Sequence, residues 1–257
     1  MSKRKSGALR DHETKMAHSK KEIQSFYTNE SKTIQFDTQR PKINNRIVQL
    51  VPKTVNQEKY ILAILNSKID IVIAAGPAGT GKTYLAMQAA IKAMKAGECE
   101  RIILSRPAVG VDDEKHGFLP GDLNQKMEPW TKPLIDVMRE YYSAKEIAHM
   151  LDEQIVEIAP LAFCRGRNFK NSYVILDESQ NCTVSQMKMF LTRIGVGSKI
   201  IITGDIEQSD RLIKNNGLAD LQTKLNKTQV PGMVLCELDQ RDVQRHRIIP
   251  DILNLYS

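Results

Sequence analysis

The residues best suited to phosphate chemistry lie in the segment GPAGTGKT, which runs from Gly76 to Thr83. This segment follows the apolar run IDIVIAA and precedes the helix-forming run YLAMQAAIKAMKA, as a phosphate-binding loop of the form GxxxxGK(S/T) does. Glycines in such a loop let backbone N–H groups point at a phosphate chain, and the following helix adds the positive end of its dipole. We therefore expect ATP to bind through Gly76, Pro77, Ala78, Gly79, Thr80, Gly81, Lys82 and Thr83.

Two side chains of this loop would act on the triphosphate directly. Lys82 is expected to reach the β- and γ-phosphates, and Thr83 is expected to ligate Mg²⁺. The structural alternative is a glycine turn without a ligand, and the position between a strand and a helix argues against it.

A second segment, YVILDESQN, places two carboxylates where an apolar strand ends. Asp177 is expected to hold Mg²⁺ through water, and Glu178 to orient and polarise the water that attacks the γ-phosphate. Acidic residues also end strands without a chemical role, but the phosphate-binding loop upstream favours the catalytic interpretation. A glutamate at this position indicates hydrolysis rather than transfer to a small acceptor, which disfavours a kinase.

A third apolar strand, in KIIITGDIEQSD, also ends in polar residues. The strand beside a phosphate-binding loop commonly presents a polar group to the γ-phosphate. Asp205 and Gln208 are the candidates for this contact with the γ-phosphate, and we expect Gln208 to act as a catalytic residue. Both residue types are also ordinary in turns, which is the alternative.

Strands that alternate with helices from residue 47 onward would position these segments. Continuous apolar runs predict strands buried on both faces, as in an α/β protein with a mostly parallel sheet and helices on both sides. The predicted strands are Asp70–Ala75, Arg101–Arg106, Ile155–Ala159, Tyr173–Leu176, Lys199–Thr203 and Met233–Leu238. The predicted helices are Lys82–Ala96, Val184–Arg193, Gly217–Asn226 and Arg247–Leu255.

The composition of the 257-residue chain, with 41% hydrophobic and 26% charged residues, is typical of a soluble globular protein. No apolar run reaches the roughly 18 residues of a membrane span, so we expect no membrane association. The four cysteines lack metal-ligand spacing and fit reduced thiols in a cytoplasmic protein.

Basic charge is concentrated at the N-terminus. Residues 1–46 contain 11 Lys and Arg against 5 Asp and Glu, whereas residues 47–257 contain 26 against 25. Because the first segment has few apolar residues, we predict a flexible basic arm ahead of an ATPase domain at 47–257. The arm would either contact nucleic acid electrostatically or act only as a solubilising tail, and the sequence leaves both open.

A long connection, residues 107–155, is inserted between two predicted strands. Apolar residues recur there at helical spacing, among them Leu134, Val137, Met138 and Tyr141. This pattern predicts a helix, interrupted by prolines, whose apolar side packs on the core.

In these and further segments the chain resembles the PhoH-like ATPases, which are grouped with RecA-like and superfamily 1 helicase cores. The resemblance covers residues 52–257 and rests on GPAGTGKTYLA, SRPAVG, GFLPGD, EIAPLAFCRGRNF, VILDESQN, QMKMFLTRIG, TGDIEQSD and RDVQRH. It implies a RecA-like P-loop fold, an ATPase associated with RNA metabolism with helicase-like activity, and ring-like oligomers such as hexamers.

Further residues acquire candidate roles beside this resemblance. Gln57, in TVNQEKY, matches a position where related helicase cores place a glutamine on adenine, although a surface glutamine is an equal alternative. Arg106, Arg165 and Arg167 lie at or beyond strand ends, where they could bind phosphates of the nucleotide or of a polynucleotide. Surface salt bridges are the alternative for these arginines.

Arg245, in DQRDVQRHR, lies beyond the last predicted strand, where an arginine finger could reach a γ-phosphate. Superfamily 1 helicases close ATP between two RecA-like lobes, whereas this sequence has residues for one. We therefore expect a homo-oligomer in which Arg245 acts in trans.

The combined expectation is ATP hydrolysis with Mg²⁺, coupled to RNA or single-stranded nucleic acid. The alternative from another class is a nucleotide-switched binding module with slow turnover and no motor activity.

Overall fold

Six parallel strands form one sheet in the described part of this computed structural model, which comprises residues 47–107, 132–209 and 216–244. The strands are β1 (Ile71–Ala75), β2 (Arg101–Arg106), β3 (Val156–Pro160), β4 (Ser172–Leu176), β5 (Lys199–Gly204) and β6 (Met233–Glu237). Their order across the sheet is β3-β2-β4-β5-β1-β6, and every pairing is parallel. The six predicted strands are confirmed, with ends that differ by one residue at most.

Helices cover both faces of this sheet. They are α1 (Val55–Leu65), α2 (Lys82–Lys95), α3 (Ala144–Asp152), α4 (Val184–Leu191) and α5 (Gly217–Lys227), and residues 132–139 are also helical. Helix α1 was not predicted, and the helix predicted for Arg247–Leu255 lies outside the described residues. None of the described helices has the length and apolarity needed to cross a bilayer.

Alternating side chains of β1 explain why the sheet needs helices on both sides. Val72 and Ala74 join a buried apolar cluster with α1, α2, α3 and residues 132–139, whereas Ile71 and Ile73 join a second cluster with α4 and α5. A strand buried on both faces reads as a continuous apolar run, which is why the sequence indicated the strands so clearly. These observations confirm the predicted α/β class, a parallel sheet with helices on both faces.

The described part of the long connection packs on the first of these clusters. Leu134, Val137, Met138 and Tyr141 are buried there, which confirms the predicted apolar face of this segment. Residues 108–131 of the connection and the predicted basic arm at 1–46 lie outside the described residues.

The parallel arrangement brings the carboxyl ends of the strands to one edge of the sheet. Strand β5 lies between β1, which leads into the phosphate-binding loop, and β4, which leads to Asp177. The register pairs Ala75 with Gly204, and Arg106 with Pro160 of β3. Polar residues just beyond these ends therefore converge beside the phosphate-binding loop.

Candidate nucleotide-binding site

The backbone of the phosphate-binding loop requires glycine at both of its ends. Gly76 has a φ of 153°, and a Cβ there would lie 2.2 Å from the backbone oxygen of Leu238. Gly81 has a φ of 80° and caps the N-terminus of α2. Since α2 begins at Lys82, the backbone N–H groups of its first turn and its positive dipole end face the loop, as an anion site requires.

The Lys82 ammonium is buried within the loop. It donates hydrogen bonds to the carbonyl oxygens of Gly76 at 2.7 Å and Pro77 at 2.6 Å, and to Thr80 Oγ1 at 3.2 Å. A phosphate oxygen would offer the ammonium a charged acceptor in place of these neutral ones, and such charge-assisted bonds are about twice as strong. The loop and its lysine therefore fit a nucleotide phosphate.

Oxygen donors suitable for Mg²⁺ meet beside the loop. Thr83 Oγ1 donates to Asp177 Oδ1 at 2.8 Å, and Thr203 Oγ1 donates to the same oxygen at 2.6 Å. Carboxylate and hydroxyl oxygens are the ligand types that this hard cation prefers, so the two predicted metal residues fit it. Sequence reasoning assigned no role to Thr203, although its place at the end of a buried strand beside β1 is a usable signal.

Glu178 takes up an unusual backbone conformation directly after Asp177. Its φ of 53° lies in the left-handed region, which costs a residue with a Cβ about 1 kcal/mol. Its carboxylate accepts a hydrogen bond from Gln180 Nε2 at 2.6 Å and lies 3.6 Å from the guanidinium of Arg106. Strain of this kind concentrates at functional sites, because the surrounding contacts must hold it.

A cavity of about 260 Å³ connects these groups. Its lining includes the predicted loop residues Ala78, Gly79, Gly81, Lys82 and Thr83, together with Tyr84, Asp177, Glu178, Gly204, Asp205 and Gln208. A larger cavity of about 1020 Å³ lies at the opposite edge of the sheet and contains none of the loop residues. The smaller cavity fits a triphosphate, because Lys82, Thr83 and Asp177 line it together.

The two candidate γ-phosphate sensors have different surroundings in this cavity. Asp205 is buried, and its carboxylate accepts hydrogen bonds from the backbone N–H groups of Ala78 at 3.0 Å and Glu207 at 3.1 Å. It thus ties the end of β5 to the loop. Gln208 is exposed at the cavity wall, which leaves its amide available to a ligand.

Gln57 is buried, with only 3% of its surface exposed, so the surface alternative is wrong. Its Nε2 donates to the carbonyl of Thr80 at 3.0 Å, and its Oε1 accepts from the backbone N–H of Lys53 at 2.7 Å. Both ends of the amide are therefore bonded to backbone, and one of them supports the phosphate-binding loop.

A polar network that sequence reasoning missed joins the start of α1 to the segment after β6. Asp242 is buried and accepts hydrogen bonds from Thr54 Oγ1 at 2.5 Å and from Asn56 Nδ2 at 2.9 Å. Burial by itself raises the pKa of Asp242, but these bonds and one from the Asp239 N–H outweigh it, and the pKa is lowered. Two residues later, the N–H of Gln244 donates to the carbonyl of Gly79 at 2.8 Å.

The predicted arginines have separate environments. Arg106 faces Glu178, and Arg165 is exposed without an ion pair to any described residue. Arg167 forms a bidentate pair with Glu157 and stacks 5.2 Å from the ring centroid of Phe169, which favours the salt-bridge alternative for this residue. Arg245 lies outside the described residues.

A comparison with family models identifies the protein's relatives. The model described as PhoH-like protein matches residues 49–257. The chain belongs to the PhoH-like family. With the geometry above, membership of the PhoH-like family means that the described residues form a P-loop nucleotide-binding core.

Curated PhoH-like relatives match most of this chain but extend beyond it. The PhoH-like proteins of Synechocystis sp. and Bacillus subtilis are each 47% identical over 80% of this chain, which spans 61% and 63% of their own lengths. Protein PhoH of Escherichia coli K12 is 38% identical over 78% of this chain and 56% of its own length. The chain therefore spans less than two thirds of the length of each of these relatives.

Solved structures show a more distant likeness to this PhoH-like chain. The Pyrococcus furiosus Hef helicase domain is 11% identical with a TM-score of 0.42, over 75% of this chain and 39% of that one. The Pif1 helicase from Candida albicans is 14% identical with a TM-score of 0.38, over 80% and 44%. At these values the likeness assigns no activity to this chain.

Proposed function

We propose that this protein hydrolyses ATP with Mg²⁺ and couples hydrolysis to RNA or single-stranded nucleic acid. The observation that carries the proposal is the placement of Glu178 on the wall of the cavity that also holds Lys82, Thr83 and Asp177. A phosphate-binding loop alone would support binding. A second carboxylate, adjacent to the metal residue and on the cavity wall, supports hydrolysis, because it could accept a proton from water.

Each residue at the cavity has a definite task in this proposal. Lys82 and the N-terminus of α2 bind the β- and γ-phosphates, and Thr83 and Asp177 hold Mg²⁺, which neutralises charge on the phosphate oxygens. Glu178 accepts a proton from the attacking water. Gln208 contacts the γ-phosphate from the end of β5, and Asp205 keeps the loop at the correct distance from that strand.

Nucleic acid is the proposed partner because the chain carries an excess of basic residues outside the residues that line the nucleotide cavity. Residues 1–46 carry an excess of basic residues, and the exposed Arg165 follows β3 at the same sheet edge as the cavity. Phosphate contacts of this kind bind without reading sequence. The proposal also includes a homo-oligomer, in which Arg245 of one subunit completes the site of its neighbour.

One observation favours the alternative, a nucleotide-switched module with slow turnover. The carboxylate of Glu178 faces Arg106 at 3.6 Å and accepts a bond from Gln180, and both contacts must loosen before it can activate water freely. If no partner releases Glu178, ATP would bind and remain largely intact.

ATP hydrolysis by the purified full chain, with Mg²⁺ and with or without single-stranded RNA or DNA, tests the proposal. We expect polynucleotide to stimulate hydrolysis, Glu178→Gln to bind ATP but lose about 100-fold or more in rate, and Lys82→Ala to lose ATP affinity. Glu207→Gln and Lys92→Ala are matched controls, since both residues are exposed and neither lines the cavity.

The other outcomes discriminate between the functions. Tight ATP binding with hydrolysis that is absent or indifferent to polynucleotide would favour the nucleotide-switched module. Phosphate transferred to an acceptor rather than released would establish a kinase and contradict both.

A further inference from the structure

The turn after β3 presents an aromatic ring to solvent from a firmly anchored backbone. This turn, the 3₁₀ helix Leu161–Cys164, buries its first and last side chains completely, with Leu161 1% and Cys164 0% exposed. Between them, Phe163 is 57% exposed. The backbone that carries this ring is therefore anchored on both sides, while more than half of the Phe163 side chain is exposed to solvent.

Phe163 differs from the other exposed aromatic side chain among the described large hydrophobic residues. Tyr84 is 41% exposed, but its hydroxyl is hydrogen-bonded to Glu140 at 3.0 Å and Gln88 at 2.9 Å, so a helix and the connection hold it. A single exposed apolar residue needs no explanation by itself. The position of Phe163 relative to basic residues supplies the further reason.

Two arginines lie close to this turn, one in sequence and one in the strand register. Arg165 is exposed two residues after Phe163. In the β2–β3 register, Arg106 pairs with Pro160, the residue that immediately precedes the turn. On its other side β2 pairs with β4, which leads to Glu178. The Phe163 turn, Arg106 and Glu178 thus lie at or just beyond the carboxyl ends of the adjacent strands β3, β2 and β4, and Glu178 lines the nucleotide cavity.

We propose that Phe163 is a stacking platform for a base of single-stranded nucleic acid, with Arg165 binding the adjoining backbone phosphate. Aromatic rings beside basic side chains are how proteins bind single strands without reading sequence, because every base has a face that stacks. This site rests on the proposed function, since it is the place where the polynucleotide of that proposal would bind.

A single-stranded oligonucleotide carrying one 2-aminopurine, moved through successive positions, is the probe. Stacking quenches its fluorescence, so we expect wild-type protein to quench at least one position strongly. Phe163→Ala and Phe163→Leu should abolish that quenching and weaken binding by about 10-fold or more, whereas Phe163→Tyr should retain both. Val196→Ala, which also removes an exposed apolar side chain but near the opposite edge of the sheet, should change neither.

The leucine variant separates stacking from apolar contact, and circular dichroism confirms that each variant is folded. If wild-type protein binds no RNA or DNA oligonucleotide, the proposed function itself fails. If wild-type protein binds but Phe163→Leu binds and quenches equally well, only the stacking site is overturned. If Phe163→Ala instead changes the sedimentation of the free protein and leaves oligonucleotide binding intact, the ring belongs to a protein interface, which also overturns it.

Discussion

Arg106 Nη2 lies 3.6 Å from Glu178 Oε1, so the cation that ends β2 faces the carboxylate proposed to activate water. Both side chains are about one third exposed, at 32% and 35%. A pair with this exposure contributes at most about 1 kcal/mol. It is therefore weak enough for a polynucleotide phosphate to replace Glu178 as the partner of Arg106. This exchange would remove one of the two contacts that restrain the carboxylate when nucleic acid binds.

Removing this cation should uncouple hydrolysis from nucleic acid. We expect Arg106→Ala to raise the basal ATPase rate by up to about 5-fold, the equivalent of 1 kcal/mol, and to reduce stimulation by polynucleotide. The basal rate of Arg106→Lys should lie between those of Arg106→Ala and wild type, because lysine keeps the positive charge. Arg139→Ala, which breaks a surface pair with Asp136, is the control. A fall in the basal rate of Arg106→Ala would mean that Arg106 assists hydrolysis directly.

The features of this fold that depend on a local sequence pattern could be predicted from the sequence. Strands buried on both faces have continuous apolar runs, and the loop Gly76–Thr83 and the Asp177–Glu178 pair occur as contiguous segments. Helix α1 was not predicted because some of its apolar side chains are exposed and one of its polar side chains is buried. Val55 and Leu62 are exposed there, whereas Gln57 is buried.

Contacts between distant segments could not be predicted in this way. Arg106 and Glu178 face each other because β2 pairs with β4 in a particular register, and Asp242 meets Thr54 across most of the chain. Neither contact leaves a periodic signal, since a single polar residue at a strand or helix end has many possible partners. Thr203 was within reach of sequence reasoning, because it ends a strand next to β1.

Replacing Gln57 by alanine should weaken the binding of ATP and of GTP to the same extent. Its amide is bonded to Thr80 and Lys53 backbone, so Gln57→Ala would leave buried polar groups without partners and loosen the loop. We expect a loss of about 1–2 kcal/mol in affinity for both nucleotides, measured by calorimetry, with the exposed Lys59→Ala as the control. A loss confined to ATP would show instead that the amide contacts adenine, as the glutamine at the matching position of related helicase cores does.

Asp242 should make stability depend on acid pH. Its pKa is lowered in the folded state, so its contribution is fully present above the unfolded pKa of about 4 and is lost as the pH falls through the folded value. Asp242→Asn should lower the free energy of unfolding by about 1–3 kcal/mol at neutral pH. The difference from wild type should shrink on acidification below about pH 4.

Denaturant titrations at a series of pH values measure that difference. Asp220→Asn is the control, because Asp220 forms an exposed pair with Lys224 on one helix and should give a much smaller effect. A difference between wild type and Asp242→Asn that stays constant down to low pH would contradict the lowered pKa.

The basic arm should determine the salt dependence of nucleic-acid binding. Residues 1–46 carry a net charge of +6, and each phosphate that they neutralise would contribute about 0.7 to the log–log slope of affinity against salt for a single strand. Deleting the arm should therefore lower affinity and reduce the slope by up to about 4. An unchanged slope would leave the arm as a solubilising segment. Replacing Lys3, Arg4 and Lys5 by Gln should give a smaller change in the same direction.

If Arg245 acts in trans, two inactive variants should restore ATPase activity when they are mixed. Gln244 donates to the carbonyl of Gly79 in its own chain, so action in cis is a real competitor and must be tested. Arg245→Ala keeps Glu178, and Glu178→Gln keeps Arg245, so in a mixed oligomer some neighbours together provide one complete site. If the arginine acts in trans, an equal mixture that has exchanged subunits should recover about a quarter of wild-type activity, since each site needs the correct variant on both sides. If each subunit uses its own arginine, the mixture will stay inactive at every ratio, and dilution of the wild-type protein will leave its specific activity unchanged.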